Sequence, residues 1–327
     1  MLSKSARGMI YAIVIIGGLG LTAYNMHTGI ENIKSVGSYV TEKISDDKTE
    51  EMQKRLEEQE KKIAELNEKL EDAEKQNQQP QVSEQDKIAL SNQKAQEAAR
   101  LNDNHDYGNA ITLCNQAIEL NPNNAYAYFV RGCVYENLKD YNHALNDFNK
   151  TIDLSPTYAV AYNERGVIYM HWQDNGKAFE DFNKAIQIDV NFAMAYANRA
   201  VIHQRLKNNN QALEDYAKAI QLNPNSPINF YNRGLLFAEQ KNYKLAMNDY
   251  NRALQLNPNY FDAYNNRASV HYAQKNYNSA INDLNKAIEI NPNLPILYKN
   301  RSIAYQAIGD KKKAQADMNK YKSLGGL

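Results

Sequence analysis

The sequence predicts an all-α protein built from repeated pairs of helices. Proline recurs at multiples of 34 residues, and alanine keeps the same period through seven units between residues 91 and 327. Within a unit the apolar residues are spaced three and four apart, as on one face of a helix. The periodic prolines are Pro122, Pro156, Pro224, Pro258 and Pro292, and the periodic alanines are Ala110, Ala144, Ala178, Ala212, Ala246, Ala280 and Ala314.

Each unit is predicted to contain two antiparallel helices joined by a short polar turn. Phe230, Gly234 and Phe237 share one helical face, a polar turn follows at 241–242, and a second apolar face begins at Ala246. Such a pair cannot bury its apolar face alone, so the units must stack into a solenoid. The repeat domain is predicted over residues 83–327, with its first helix extended back to Glu84 and repeats starting near 91, 125, 159, 193, 227, 261 and 295.

An arginine interrupts the apolar stripe in each of the last six repeats, and an aspartate follows sixteen residues later. The first repeat has Glu97 and Leu113 instead, so the two features appear and vanish together. We predict an ion pair that bridges the two helices, since a guanidinium can give a carboxylate two parallel bonds while its stem packs on apolar neighbours. A ladder of anion-binding sites is the alternative. The pairs are Arg131–Asp147, Arg165–Asp181, Arg199–Asp215, Arg233–Asp249, Arg267–Asp283 and Arg301–Asp317.

This pattern of aromatic residues, Gly or Ala, a constant Ala and Pro resembles the tetratricopeptide repeat (TPR) family over about 235 residues. The resemblance implies a right-handed superhelix of about seven helix-turn-helix repeats. It also implies that peptides or partner domains bind on the concave face of the first helices.

Carried over by position, the resemblance predicts a groove that binds a partner protein or peptide. Its amide column is Asn198, Asn232, Asn266 and Asn300, each immediately before an arginine, and Tyr231, Asn265, Tyr272, Val201, Leu235 and Ile303 line the same groove. An amide can donate to and accept from an extended peptide backbone. Ordinary helix-surface composition is the alternative for this column. Family members that grip the acidic tails of chaperones need further cations, and Val201, Leu235, Ile228 and Ile296 hold those positions here.

The N-terminal region predicts a membrane anchor. The basic flank 1–8 precedes an uncharged, mostly apolar run, and we predict a transmembrane helix over 9–27. The positive-inside rule puts the N-terminus in the cytoplasm and the repeats across the membrane, in the periplasm of a bacterium. A cleaved signal peptide is the alternative. Similar short-anchor TPR proteins, such as mitochondrial outer-membrane import receptors, instead carry repeats that face the cytosol.

A charged helical stalk is predicted over 28–82. Within it, apolar residues alternate at spacings of three and four over about 49–77, which indicates a coiled coil and self-association. A solitary solvated helix is the alternative. The seam is Met52, Leu56, Gln59, Ile63, Leu66, Leu70 and Ala73.

The remaining features exclude several classes of function. Lys+Arg and Asp+Glu both number 38, so the chain lacks the basic excess of a nucleic-acid binder. Cys114 and Cys133 match no zinc or redox spacing. His203 and His271 replace core aromatics, and no catalytic or metal-binding pattern occurs in the sequence. We therefore expect no enzyme activity, cofactor or metal.

The sequence thus predicts a membrane-anchored TPR scaffold that binds a partner protein or peptide in its groove. One alternative is a secreted or periplasmic assembly factor, released after signal cleavage. Another is a helical-repeat RNA-binding protein, against which the neutral charge argues.

Overall fold

The computed structural model describes residues 83–326 and positions 54, 61 and 65. This part of the chain is all-α, without strands, and forms two compact units. Unit 1, residues 83–190, contains α1 (Glu84–Asp103), α2 (Tyr107–Leu120), α3 (Ala125–Asn137), α4 (Tyr141–Leu154), α5 (Ala159–His171) and α6 (Asn175–Ile188). Unit 2, residues 191–326, contains α7 (Ala193–Arg205), α8 (Asn209–Leu222), α9 (Pro227–Glu239), α10 (Tyr243–Leu256), α11 (Phe261–Ala273), α12 (Tyr277–Ile290), α13 (Pro295–Ala307) and α14 (Lys311–Ser323).

A sharp turn joins the two helices of each repeat. In the second repeat, Lys139 follows α3 in the left-handed conformation, with φ of 61°, and Asp140 caps α4. The Asp140 carboxylate accepts a hydrogen bond from the backbone N–H of His143. One residue thus ends the first helix and the next starts the second, which makes the helices antiparallel. The same left-handed position is held by His105, Gln173, Lys207, Lys241, Lys275 and Gly309.

Small residues let the helices approach each other closely. The seven periodic alanines of the second helices are at most 3% exposed. Between repeats, Ala117 packs with Ala95 and Ala127 of the two neighbouring first helices. Methyl-sized contacts of this kind bring helix backbones near the lower end of ordinary packing distances.

Glycines occupy the tightest of these contacts. A Cβ atom added at Gly166 would lie 2.7 Å from the ring of Phe182, and one added at Gly234 would lie 2.9 Å from the ring of Tyr250. Both rings are fully buried, so neither can swing aside into solvent. The mid-helix glycines are therefore explained by space and not by backbone conformation.

Several predicted segments lie outside the described residues. These are the basic flank 1–8, the membrane span 9–27 and almost all of the stalk 28–82. The three described positions within the predicted coiled coil are helical and exposed. In the described part of the chain, no helix combines the length and the apolar character needed to cross a membrane.

Gly166→Ala is expected to lower the free energy of unfolding by about 1 kcal/mol. Overpacking against Phe182 costs about 1–3 kcal/mol, whereas better helix propensity returns about 1 kcal/mol. Gly108→Ala is the control, because nothing lies within 4 Å of its added methyl group. Urea unfolding followed by circular dichroism measures both variants. A Gly166→Ala protein as stable as the control would contradict this account of the packing.

Candidate functional site

Six arginines each bind the aspartate sixteen residues further along the same repeat. Arg131 donates to Asp147 from Nε at 2.8 Å and from Nη2 at 2.7 Å. Each pair connects the first helix of a repeat to its second helix. The same two bonds, at 2.6 to 2.8 Å, join Arg165 to Asp181, Arg199 to Asp215, Arg233 to Asp249, Arg267 to Asp283 and Arg301 to Asp317.

Aromatic rings explain how a fixed cation is accommodated in the apolar stripe. The Arg233 guanidinium lies 5.8 Å from the ring centres of both Phe230 and Phe237. Its side chain is 21% exposed, and that of Asp249 is 7% exposed. The flat face of the guanidinium therefore contacts aromatic rings while its edge meets the carboxylate.

An asparagine of the preceding repeat binds the remaining edge of several of these guanidinium groups. Arg131 donates from Nη1 to the Asn115 side-chain oxygen at 2.6 Å. These bonds use three of the five N–H donors of such an arginine and neutralise its charge with a carboxylate, which favours the structural interpretation over the anion-binding ladder. The equivalent bonds join Arg165 to Asn149, Arg267 to Asn251 and Arg301 to Asn285. Ala217 occupies the corresponding position before Arg233.

These asparagines were not predicted from the sequence, although a signal was present. Asn115, Asn149, Asn251 and Asn285 fall at multiples of 34 residues, like the arginines they bind. In a chain rich in asparagine this period was hidden by the many asparagines of the turns.

The predicted amide column makes hydrogen bonds between neighbouring first helices. The Asn266 amide donates to the Tyr231 hydroxyl and to the Asp262 carbonyl oxygen, both at 3.0 Å. Asn300 donates to the side-chain oxygen of Asn265 at 2.8 Å. Both N–H groups of Asn266 are thus used inside the protein, and only its oxygen remains for a partner.

Asn232 is in a different situation. Its counterparts Asn266 and Asn300 bond to the side chain thirty-five residues earlier, but Ala197 stands at that position before Asn232. The Asn232 side chain is half-buried and has no hydrogen-bond partner among the described residues. Asn198 does have a partner. Asn232 therefore has the most hydrogen-bonding capacity left in the column.

The other predicted groove residues divide into two groups. Tyr231, Leu235 and Val201 are half-buried and pack against the cores of their repeats, and burial raises the pKa of Tyr231 to about 12. Tyr272 and Ile303 are 39% and 38% exposed. We call this surface the unit 2 face, and it comprises Asn198, Val201, Tyr231, Asn232, Leu235, Asn265, Asn266, Tyr272, Asn300 and Ile303.

Four family models match the repeat region. The model described as "TPR repeat" matches residues 234–275, and models described as "Tetratricopeptide repeat" match 113–146, 159–191, 193–226 and 261–294. The chain contains tetratricopeptide repeats. The predicted repeat family is therefore confirmed over these residues.

Several solved structures share the fold. PilF of Pseudomonas aeruginosa has a TM-score of 0.60 at 15% identity, over 69% of this chain and 99% of that chain. A tetratricopeptide repeat protein from Parabacteroides merdae has a TM-score of 0.55 at 19% identity, over 72% of this chain and 93% of that chain. The C-terminal part of a TPR protein from Cytophaga hutchinsonii has a TM-score of 0.53 at 23% identity, over 70% of this chain and 95% of that chain. No curated protein matches the sequence.

Two glutamates distinguish the first helices of the unit 1 TPR repeats. Glu164 immediately precedes Arg165, the position that asparagines hold in unit 2, and it accepts a hydrogen bond from Asn163 at 3.1 Å. Glu136 on α3 is 7% exposed, and its side chain has no hydrogen-bond or ion-pair partner among the described residues. Neither residue was predicted from the sequence, although Glu164 breaks the column of asparagines.

The carboxyl groups of both glutamates have raised pKa values. Burial, and then the negative charge of Glu164, raise the pKa of Glu136 well above its usual range. Burial raises the pKa of Glu164 to about 7. The thiol of Cys133 also has a raised pKa, because of its burial and the nearby charges of both glutamates. Burial is thus the main cause of the raised pKa of all three side chains.

Other titratable residues of the described part fit structural roles. The His271 Nε2 atom lies 3.8 Å from the Asp283 carboxylate. Burial lowers the pKa of the His271 imidazole. Cys114 is a buried free thiol. Among the described residues, no group of three or more His, Cys, Asp or Glu side chains could hold a metal ion.

Arg233→Leu is expected to lower the free energy of unfolding by about 3 kcal/mol, because it leaves the buried Asp249 carboxylate unpaired. The double variant Arg233→Leu/Asp249→Leu is the control. It should recover most of that loss, since replacing both partners of a buried pair by apolar residues is often neutral. Urea unfolding measures both. A single variant as stable as the unchanged protein would show that the pair does not hold the hairpin.

The pH dependence of stability is expected to report on Glu164. The unfolded chain releases this proton near pH 4.5, whereas the folded protein keeps it up to about 7. The folded state therefore binds more protons in this window, and the free energy of unfolding falls as pH rises through it. Because Glu164 is half-buried and solvent partly screens its charge, we expect the free energy of unfolding to fall by about 1–2 kcal/mol over this pH range.

Comparison with Glu164→Gln isolates this contribution. Urea unfolding at pH 5 and pH 8 should show a smaller difference in this variant than in the unchanged protein. Glu119→Gln, at an exposed position of α2, is the control for the loss of one charge. An unaltered pH difference in Glu164→Gln would refute the raised pKa.

Proposed function

We propose that this protein is a non-catalytic scaffold whose unit 2 face binds an extended segment of a partner protein. The proposal depends on Asn232, whose side chain has no hydrogen-bond partner among the described residues although its neighbours in the column are engaged. Its amide oxygen and nitrogen are therefore available to a ligand without breaking an internal hydrogen bond. A bound ligand with a matching donor and acceptor would exchange its own hydrogen bonds to water for bonds to this amide.

The chemistry of a peptide backbone matches Asn232. A carboxamide has an oxygen that accepts and a nitrogen that donates, and each peptide group of an extended chain offers the complementary pair. One residue can therefore bind a backbone without requiring a particular sequence. The N–H groups of the Asn266 side chain are already used inside the protein, and its side-chain oxygen adds a second acceptor.

Apolar side chains of the unit 2 face would provide further affinity. Tyr272 and Ile303 are large and exposed, and Leu235 and Val201 are half-buried. Complete burial of one such side chain contributes about 1.5–3 kcal/mol. The fitting partner is thus a segment whose apolar side chains flank the peptide group held by Asn232.

The sequence supports extending this proposal to a membrane-tethered protein. The apolar run within 9–27 would anchor it, the repeats would lie across the membrane from the cytoplasm, and the segment 49–77 would pair two copies. Protease added to intact spheroplasts should then degrade the repeats. Protected repeats would instead mean that they face the cytosol, and N-terminal sequencing would reveal cleavage and a released assembly factor.

Asn232→Ala is expected to weaken peptide binding about tenfold, since two hydrogen bonds are lost. Peptides selected from a phage-displayed library of random dodecamers on the full-length protein serve as probes, and fluorescence anisotropy gives their affinities. The control is Asn248→Ala, which removes an exposed amide from α10 of the same repeat. Equal affinities of the two variants, with unchanged melting curves, would mean that the unit 2 face is not the binding surface.

A further inference from the structure

The turns that join the two helices of each repeat differ in charge between the two units. In unit 1 the three turns, with their flanking residues, contain two lysines and four aspartates. In unit 2 the four equivalent turns contain eight cations and two acids. The hairpins are alike in both units, so the side chains and not the backbone make this difference. The turns compared are 103–109, 137–143 and 171–177 in unit 1, and 205–211, 239–245, 273–279 and 307–313 in unit 2.

The lysines of the unit 2 turns are exposed along one edge of the stacked hairpins. Lys207, Lys241 and Lys275 each follow a first helix in the left-handed conformation, with φ of 59° to 61°. Together with Lys244 they make no ion pair or side-chain hydrogen bond among the described residues. Because consecutive repeats stack in the same orientation, their turns follow one another at the same edge. We call this surface the lysine edge, and it comprises Lys207, Lys241, Lys244, Lys275, Lys311, Lys312 and Lys313.

The backbone of these turns does not require lysine. His105 and Gln173 hold the same left-handed position in unit 1, and Gly309 holds it in the last repeat. Glycine adopts this conformation with the least strain. The recurrence of lysine in three consecutive repeats of unit 2 is therefore not explained by the shape of the turn.

The helix caps beside these lysines are neutral. The residue that caps the second helix is aspartate in all three hairpins of unit 1, whereas Asn208, Asn242 and Asn276 hold this position in unit 2. Asparagine and aspartate are about equally favoured as N-caps. The exchange therefore removes negative charge from the edge without removing a favourable cap residue. Asp310, in the last repeat, is paired with Lys313 at 3.0 Å.

Large apolar side chains lie among the lysines. Leu206 immediately precedes Lys207 and is 50% exposed, and Leu245 immediately follows Lys244 and is 39% exposed. Ile308, in the last turn, is 43% exposed. A free polyanion could pair with the lysines, but it would leave these three side chains in water. The surface of a lipid bilayer offers anionic groups and, just beneath them, an apolar layer.

We infer that the lysine edge docks on the anionic surface of a lipid bilayer. Its lysines would lie at the level of the lipid phosphates, while Leu206, Leu245 and Ile308 would enter the boundary between headgroups and acyl chains. Each lysine close to such a surface strengthens binding about fivefold. All these groups belong to the turns of unit 2, so the inference rests neither on the role of Asn232 nor on the apolar run within 9–27.

Acetylation of lysines by a membrane-impermeant reagent measures this docking on the full-length protein. Detergent is removed in the presence of vesicles of phosphatidylcholine alone, or of an equal mixture of phosphatidylcholine and phosphatidylglycerol. Mass spectrometry then gives the acetylated fraction of each lysine. Division by the fraction at internal control lysines corrects for protein enclosed within vesicles. The controls recur on second helices, away from these turns, and are Lys150, Lys184, Lys218 and Lys286.

Relative acetylation of the lysine edge is expected to fall about fivefold in the mixed vesicles compared with phosphatidylcholine. High salt should restore it, because salt screens exposed charges. Exchange of four lysines of the edge for glutamine should abolish the protection of Lys311 and Lys312, whereas the same exchange at the four control lysines should preserve it. The edge variant is Lys207→Gln/Lys241→Gln/Lys244→Gln/Lys275→Gln, and melting curves verify that both variants fold.

Three results would overturn the inference. The first is equal relative acetylation of the edge in the two kinds of vesicle. The second is protection of Lys311 and Lys312 that survives in the edge variant. The third is protection by added polyglutamate in phosphatidylcholine vesicles without any protection by phosphatidylglycerol, which would indicate an acidic polypeptide as the partner. The Asn232→Ala variant should keep the protection, so failure of peptide binding at the unit 2 face leaves this test unaffected.

Discussion

A hairpin of two helices cannot bury its own apolar face, so each repeat depends on its contact with the next. The arginines act at this contact: Arg131 joins Asp147 on its own second helix to Asn115 of the preceding repeat. Burial raises the pKa of Asp147 although Arg131 opposes the shift, whereas the hydrogen bond to Asp147 raises the pKa of Arg131, so desolvation and attraction act against each other in this pair. Buried ion pairs are weak sources of net stability. The pair therefore serves chiefly to fix the register of the two helices and of consecutive repeats.

This arrangement separates packing from recognition on each first helix. The arginine is directed to the second helix, and the residue immediately before it points to a different side of the first helix, since successive helical residues are turned by about 100°. That preceding position can vary without disturbing the ion pair. The position before the arginine holds asparagine in the unit 2 repeats and Glu164 in the third repeat. The same helical position therefore carries an amide in unit 2 and a carboxyl group in the third repeat. Sites built on helices also keep their side chains well oriented.

Much of this could be predicted because it repeats. The period of proline and alanine predicted the helical pairs, and the shared presence and absence of Arg and Asp predicted their contact. The bonds of Asn266 and Asn300 could not be predicted in this way, because they depend on the register between neighbouring first helices. The burial of Glu136 was equally hidden, since it depends on what covers α3. Periodicity thus predicts the contacts that every repeat makes, and misses those made by one repeat alone.

The candidate sites lie at breaks in the repeat pattern. Ala197 stands where Tyr231 and Asn265 accept bonds in later repeats, and Ala217 stands where other repeats place the asparagine that binds an arginine. Both alanines belong to the fourth repeat, and the residues left with fewer bonds are the adjacent Asn232 and Arg233 of the fifth. Polar groups that make fewer internal hydrogen bonds can form hydrogen bonds to a partner without first breaking internal ones. In the proposed binding mode, this interrupted position of the unit 2 face is therefore where a partner would form new hydrogen bonds without displacing internal ones.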